Sequence, residues 1–357
     1  MEDMKFYSVR SKPFVIDGLL PPIDGEPFRR IPQEVADATN ERVSTVGCTR
    51  TSGGRIRFAT DAEQITVRIL IPDIAKHLGN MPLFGSSGLD LYCVEGGTER
   101  RIGTFRYKNV LDKLWEEGTS LKLRGGGMRT YVLYLPLYAG VRDLLIGLPC
   151  SAEIAEPTDH YLISDPIVYY GSSITQGASA SRPALSYPAV ISRRLRAQFI
   201  NLGFAGSARG ESAIREYIAN IPRMSAFVLD YDHNAPSLEH LKETLEPFYQ
   251  RVRELNPDLP IVFVSAPDAS IVSSGRTARR NLIMKTYLSA YEAGDRNVYF
   301  VDGFTMMSDE SFDDRTIDTT HPTDLGFERM AYAIGTVLRE ALRKKYRQKE
   351  MEARENV

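Results

Sequence analysis

No stretch of this chain comes near the run of about 20 apolar residues that a membrane-crossing helix needs. Neither sign of charge is in excess, with 44 Lys and Arg against 46 Asp and Glu and a formal net charge of −2. So balanced a chain offers no electrostatic reason to bind nucleic acid or an anionic membrane, and its substrate is expected to be small or neutral. Cysteine is scarce: Cys48, Cys93 and Cys150 are odd in number, widely spaced and outside any Cys-x-x-Cys pattern. They read as reduced, buried packing residues of a cytoplasmic protein. Residues Met1 to Arg10 are polar and lack the apolar core of a secretory signal, although a secreted or periplasmic form that had lost a leader would look the same. The glycine clusters Gly53-Gly54, Gly96-Gly97 and Gly125-Gly126-Gly127 are not followed by the Lys-Ser/Thr pair of a phosphate loop, which argues against phosphoryl transfer.

What is present suffices for a large core, with 43% hydrophobic and 25% charged residues over 357 positions. That length suits two domains, because single cores stop growing near roughly 250 to 300 residues. The hydrophobic period changes along the chain. From about Arg55 to Leu148, apolar residues alternate as in strands: Ile65, Val67, Ile69 and Ile71, then Leu121 and Leu123, then Tyr131, Leu133, Leu135 and Leu137. Close-spaced strands without intervening helices imply an antiparallel β-sandwich, here residues 1–160. The tract from Met1 to roughly Val46, rich in proline and Asp-Gly, reads as an irregular lead-in over the surface.

After about Leu162, strands alternate with amphipathic helices. Strands are expected at Ile167–Tyr170, Phe199–Leu202, Ala226–Tyr231, Ile261–Ser265 and Val298–Asp302. Helices are expected at Pro188–Ala197, Glu211–Ile221, Leu238–Leu255, Thr277–Ala293 and Leu325–Arg343, with the charged tail beyond fraying into solvent. This alternation makes a parallel sheet covered on both faces over 161–357, with ligands at the carboxyl ends of its strands.

Those strand ends carry the chemistry. The apolar strand of Pro166-Ile-Val-Tyr-Tyr runs straight into Gly171-Ser-Ser-Ile-Thr, which can lift the hydroxyl of Ser173 above the sheet at a helix N-terminus. Taken alone, this is also how an ordinary serine-capped turn looks. The second strand ends near Gly206, where a backbone N–H allows close approach, and the third near Asn234, an amide donor; each also reads as a plain loop or cap. Before the last helix stands Asp318-Thr-Thr-His321-Pro322. A serine hydroxyl needs a neutral imidazole to take its proton, and an aspartate three residues earlier can turn back to hold the other ring nitrogen. Pro322 keeps His321 out of the helix. Of the five histidines, His77 and His160 belong to the first half or its linker and His240 to a charged helix. His233 competes as base, but its neighbours Asp230 and Asp232 suit a structural hydrogen bond. That same cluster lacks the second group of ligands a metal site needs.

Taken in order, these four blocks resemble the SGNH hydrolases, the GDSL-type esterase superfamily. The resemblance covers about Ser164 to Arg343 and implies a flavodoxin-like three-layer α/β/α fold. It implies Ser173 as nucleophile, His321 as base, Asp318 as its orienting acid, and the Ser173 N–H, Gly206 N–H and Asn234 side chain as oxyanion hole, with no cofactor. Two positions depart from the family pattern: Ser172 stands where an aspartate is common, and His233-Asn234-Ala235 where Gly-x-Asn-Asp is usual. Asn201-Leu-Gly-Phe-Ala-Gly-Ser-Ala-Arg-Gly-Glu211 and Thr320-His-Pro-Thr-Asp-Leu-Gly326 are similar to the bacterial branch with a jelly-roll-like sandwich ahead of the hydrolase. That branch implies an acetylated sugar as substrate. The expected function is a short-chain serine esterase on a carbohydrate, with a lipase-like esterase or a carbohydrate-binding protein on an esterase scaffold as alternatives. Arg209, Glu211 and Tyr231 are candidates to line the substrate pocket.

Overall fold

The change of period near Leu162 is a change of sheet type. The computed structural model describes residues 3–71, 79–105, 116–117, 120–123, 126–267, 274–307 and 312–355, so His77 lies outside it. One antiparallel sheet contains β1 (Met4–Ser8), β4 (Gln64–Leu70), β7 (Glu116–Glu117), β8 (Leu121–Lys122) and β10 (Asp143–Pro149). The other contains β2 (Val15–Asp17), β3 (Arg55–Thr60), β5 (Leu89–Glu95), β6 (Thr98–Phe105), β9 (Arg129–Tyr134) and β11 (Ile154–Ala155). Alternate residues of both, among them Ile56, Phe58, Ile65, Val67, Ile69, Leu133, Leu144 and Ile146, meet in one buried cluster. Each such fully buried side chain contributes about 1.5–3 kcal/mol.

The second sheet is buried on its other face too. Tyr92, Val132 and Tyr134 join Ile167, Tyr169 and Tyr187 in the next core. Strand β3 is buried at every position, and the guanidinium of Arg55 crosses to the carbonyl of Phe199, at 3.3 and 3.2 Å, while stacking on that ring. The sandwich is thus packed on the rest of the protein as one continuous interior.

The parallel sheet has the order β13 (Ala197–Gly203), β12 (Ile163–Gly171), β14 (Ala226–Asp230), β15 (Ile261–Val264), β16 (Val298–Val301), the flavodoxin-like arrangement. Along β12, Ile167 and Tyr169 face a core shared with α4 (Tyr187–Leu195) and α9 (Asp324–Glu355). Val168 and Tyr170 face the opposite core, shared with α5 (Ser212–Ala219), α6 (Leu238–Leu255) and α7 (Ser274–Glu292). A strand buried on both faces has no polar alternation, which is why β12 reads as an unbroken apolar run. Among the described residues, no helix is long and apolar enough to cross a membrane.

Two expectations need correction. The lead-in is not a surface wrapping: β1 pairs with β10, and α1 (Gln33–Thr39) buries Ala36 beside Ile214 and Ile218. Its short elements are held by tertiary contacts rather than by their own propensity. Cys48 and Cys93 are buried as expected, but Cys150 is exposed just past the end of β10.

Candidate active site

The site is built by the ends of β12, β13 and β14, which lie side by side. At Gly171 a side chain is impossible: a Cβ there would stand 2.0 Å from Thr175 Oγ1 and 2.4 Å from the Asp230 carbonyl. The chain can therefore turn tightly from β12 into the short helix α3 (Ser173–Gln176). Ser172 caps that helix, its Oγ accepting the Ile174 N–H at 3.1 Å, so serine does here what an aspartate would do at an N-cap. Ser173 is then the first helical residue, whose N–H has no acceptor within the helix. Of residues 171–180, it alone is not buried.

The partner comes from the loop before α9. Asp318 Oδ1 accepts the backbone N–H groups of Thr320 (3.2 Å) and His321 (2.7 Å), closing a tight turn in which Thr319 takes a left-handed φ of 64°. Its other oxygen, Oδ2, takes the ring Nδ1 of His321 at 2.7 Å. The turn-capping and ring-holding readings of Asp318 are both true, one for each oxygen. Burial works to raise this carboxyl, but the backbone and ring donors of His321 outweigh it and hold it below its ordinary value. With Nδ1 so engaged, His321 Nε2 lies 2.9 Å from Ser173 Oγ.

The two oxyanion candidates lie on neighbouring loops that are tied together. Asn234 ends the turn Asp232–Asn234, and its Nδ2 donates to the carbonyl of Phe204 at 2.9 Å, leaving its second amide proton for another acceptor. Gly206 follows with φ 67°, a backbone shape that favours glycine, and is exposed. Gln176 of α3 fixes this loop, accepting from the Ala205 N–H at 3.0 Å while donating to the Leu137 carbonyl.

Sequence reasoning missed three groups. Tyr138 donates to the Ser173 carbonyl at 3.2 Å, and Gln176 braces the Gly206 loop. From the segment between β4 and the short helix α2 (Leu83–Ser87), Asn80 Nδ2 stands 3.2 Å from His321 Nδ1 and 3.5 Å from Asp318 Oδ2. Tyr138 and Asn80 reach the site from other parts of the chain, and Gln176, though in α3 beside Ser173, has its partners Ala205 and Leu137 on distant segments, so none carries a local signal. Of the residues expected to line the pocket, Tyr231 is corrected: it is 1% exposed, packed on Tyr170 and Phe248, with its hydroxyl against Thr244. Glu211 accepts from Asn40 and from the Arg209 N–H, and so braces a loop, while Arg209 is exposed.

His233 is partly buried beside Asn234. Burial first, then the charges of Arg276, His321 and Arg279, push its ring down to about 3, which leaves it neutral. Asp232 spends a carboxylate oxygen on the Ala266 N–H. Among the described residues, no group of three or more His, Cys, Asp or Glu is placed to hold a metal ion.

Residues 164–339 match the model of the GDSL-like lipase/acylhydrolase family, and residues 4–154 match that of the N-terminus of SGNH-hydrolase-type esterases. No curated protein matches the chain by sequence. A crystal structure described as a GDSL-like lipase from Bacteroides ovatus is 27% identical and superposes with a TM-score of 0.83, over 96% of this chain and 98% of that one. A salicylyl-acyltransferase of a tetracycline biosynthetic pathway shares 21% identity, with a TM-score of 0.72 over 92% and 95% of the two chains. An acetyl xylan esterase from the rumen bacterium Butyrivibrio proteoclasticus shares 14%, with a TM-score of 0.61 over 95% and 98%, a likeness of fold. The chain belongs to the GDSL-like acylhydrolases of the SGNH superfamily, in the branch with a β-sandwich ahead of the hydrolase fold, and is an ester-cleaving enzyme.

Proposed function

We propose that the enzyme is a serine esterase that removes short acyl groups, acetyl foremost, from hydroxyls of a carbohydrate. One observation carries the reading: a single line of contacts runs from Ser173 Oγ to His321 Nε2 at 2.9 Å and from Nδ1 to Asp318 Oδ2 at 2.7 Å. In this mechanism Ser173 Oγ attacks the ester carbonyl as His321 Nε2 takes its proton, and Asp318 holds the tautomer and stabilises the imidazolium. The N–H groups of Ser173 and Gly206 and the free amide proton of Asn234 receive the oxyanion. His321 returns the proton to the departing sugar oxygen. It then activates the water that attacks the acyl-enzyme, which releases the acid and restores Ser173.

Two features favour a short acyl group on a sugar. A Cβ at Gly206 would meet Arg42 Nη1 at 3.4 Å, so a polar guanidinium borders that loop. The fold is also shared with an acetyl xylan esterase. A complete nucleophile, base and acid argue against a binding protein that has lost catalysis.

The test compares p-nitrophenyl acetate with longer acyl esters and with acetylated oligosaccharides, for the wild type and Ser173→Ala. The variant is expected to lose on the order of a thousandfold or more in kcat. Undiminished turnover in Ser173→Ala would overturn the assignment of the nucleophile, and rates that climb steadily with acyl length would overturn the preference for acetyl.

A further inference from the structure

A trough runs along β6, outside the Ser173–His321–Asp318 line. Its first stretch is bordered by Phe84 and Arg101 of the sandwich and by Ser181 and Arg182 of the α/β half. Its second stretch shares Arg101 and Ile102 with the first and continues past Arg100, Lys122 and Arg129. The near end is tied to the start of the helix that follows His321. Asp324, three residues after His321, accepts the Ser181 N–H at 2.8 Å and its hydroxyl at 2.5 Å, and Phe84 lies four residues after Asn80.

The lining is strongly one-sided. Five cations, Arg100, Arg101, Lys122, Arg129 and Arg182, face a single lining carboxylate, Glu95, among the described residues. The chain as a whole carries −2, so this charge is invisible in the composition. The positive groups are also built in from below. Asp90 is fully buried and accepts Arg101 Nε at 3.3 Å and Thr104 Oγ1 at 2.9 Å on one oxygen, and Arg182 on the other. One carboxylate cannot neutralise two guanidiniums, so the pair keeps net positive charge. Arg101 stays 45% exposed and Arg182 21%, which leaves donors of both for a ligand. A planar guanidinium fork suits carboxylate, and Phe84, 44% exposed, offers a ring face on which a sugar can stack.

We infer that this trough holds the sugar chain of the substrate and that the chain bears carboxylates, an O-acylated oligouronide. This rests on the esterase reading and refines it: the neutral substrate expected from overall charge gives way to an anionic one. Such binding is salt-sensitive, because exposed charge pairs are screened beyond about 10 Å at roughly 0.1 M salt.

The test uses the full chain with Ser173→Ala and measures calorimetric binding of oligogalacturonate and of a neutral xylo-oligosaccharide of equal length. The uronide is expected to bind at least about tenfold more tightly, and to lose about tenfold when ionic strength rises from about 0.05 to about 0.5 M. Arg100→Gln with Lys122→Gln, both at exposed positions, is expected to remove most of that preference. In the wild type, kcat/KM on acetylated oligouronide is expected to exceed that on acetylated xylo-oligosaccharide by a similar factor. Equal binding of the two saccharides, a preference indifferent to salt, or tighter binding of a single-stranded nucleic acid of the same charge would each overturn the inference. Hydrolysis of p-nitrophenyl acetate does not need the trough. Its loss with uronide binding intact would therefore fault the esterase reading and not the site.

Discussion

Asn80 brings its amide nitrogen within 3.5 Å of Asp318 Oδ2, across 238 positions of sequence. Because the Nδ1 proton of His321 already goes to Asp318 at 2.7 Å, the Asn80 amide can serve only the carboxylate, as a second donor that steadies it. The sandwich thus reaches the base of the proposed relay. Asn80→Ala is expected to lower kcat about fivefold with little change in KM, about 1 kcal/mol, which is below the usual worth of a hydrogen bond to an ionised group because the contact is long, at 3.5 Å, and exposed. Asn80→Asp adds negative charge beside the ring, favours the imidazolium, and is expected to move the acid limb of the kcat/KM profile upward by about half a pH unit to one unit. Profiles that coincide for both variants and the wild type would reduce Asn80 to a bystander.

Asp318 has separable duties, and Asp318→Asn separates them. The remaining oxygen can still accept the N–H groups of Thr320 and His321, so the turn survives. The new amide presents donors toward Nδ1, which drives the proton to Nε2 and spoils the acceptor that Ser173 needs. A loss on the order of 10³-fold or more in kcat is expected with a thermal midpoint close to that of the wild type. Asp318→Ala should lose the turn as well and show a lower midpoint, measured by calorimetry. Equal activity of Asp318→Asn and wild type would remove Asp318 from the mechanism.

What could be read beforehand follows from how local each signal is. The period change that marks the parallel sheet lives in runs of neighbouring residues, and so does the turn from Asp318 to His321, since its hydrogen bonds span three residues. That Gly171, Ser173, Gly206 and Asn234 would meet at one edge was legible because neighbouring parallel strands end together, whereas the roles expected of them came from the family resemblance. Asn80, Tyr138 and Gln176 were not legible, because their partners lie on distant segments. Tyr231 was misread for a related reason: a tyrosine at a strand end is compatible with either a pocket wall or a core, and only α6 packing over it decides. The trough escaped notice because summed charge erases local charge.

Asp230 sits opposite Gly171 in the sheet and is 1% exposed. Its Oδ2 accepts from Thr175 Oγ1 at 2.9 Å and Tyr187 at 3.0 Å, while Oδ1 finds no hydrogen-bond partner among the described residues. Burial, followed by the charge of Asp232, pushes this carboxyl well above its ordinary value. A raised carboxyl contributes stability below its unfolded pKa and loses it as pH rises through the folded one. Asp230→Asn keeps the acceptor without the charge, so it is expected to match or exceed the wild type in urea midpoint at alkaline pH. Asp230→Ala leaves the hydroxyls of Thr175 and Tyr187 only each other, at 3.1 Å, so one buried O–H loses its acceptor, which should cost about 1–3 kcal/mol. A large loss in Asp230→Asn would mean that the ionised form is required.

His233 and Asp232 pull stability in opposite directions with pH. The folded His233 ring is pushed down to about 3, whereas the unfolded ring takes a proton near the ordinary value of about 6.5. Between those values the unfolded chain binds more protons, so this contribution is fully present above about pH 6.5 and is lost as pH falls through the window. By about pH 5 the loss relative to about pH 7 is about 2 kcal/mol. Asp232, raised to about 6 by burial, keeps its proton longer in the folded state, and its penalty grows as pH rises from its ordinary value toward 6. The two slopes largely cancel in the wild type, so single variants are needed to expose them. His233→Asn should become steadily more stable relative to the wild type as pH falls from about 7 to about 5, by about 2 kcal/mol in urea titrations, while Asp232→Asn gains relative stability on the way up. Parallel curves for His233→Asn and the wild type would show that the folded ring titrates as freely as the unfolded one.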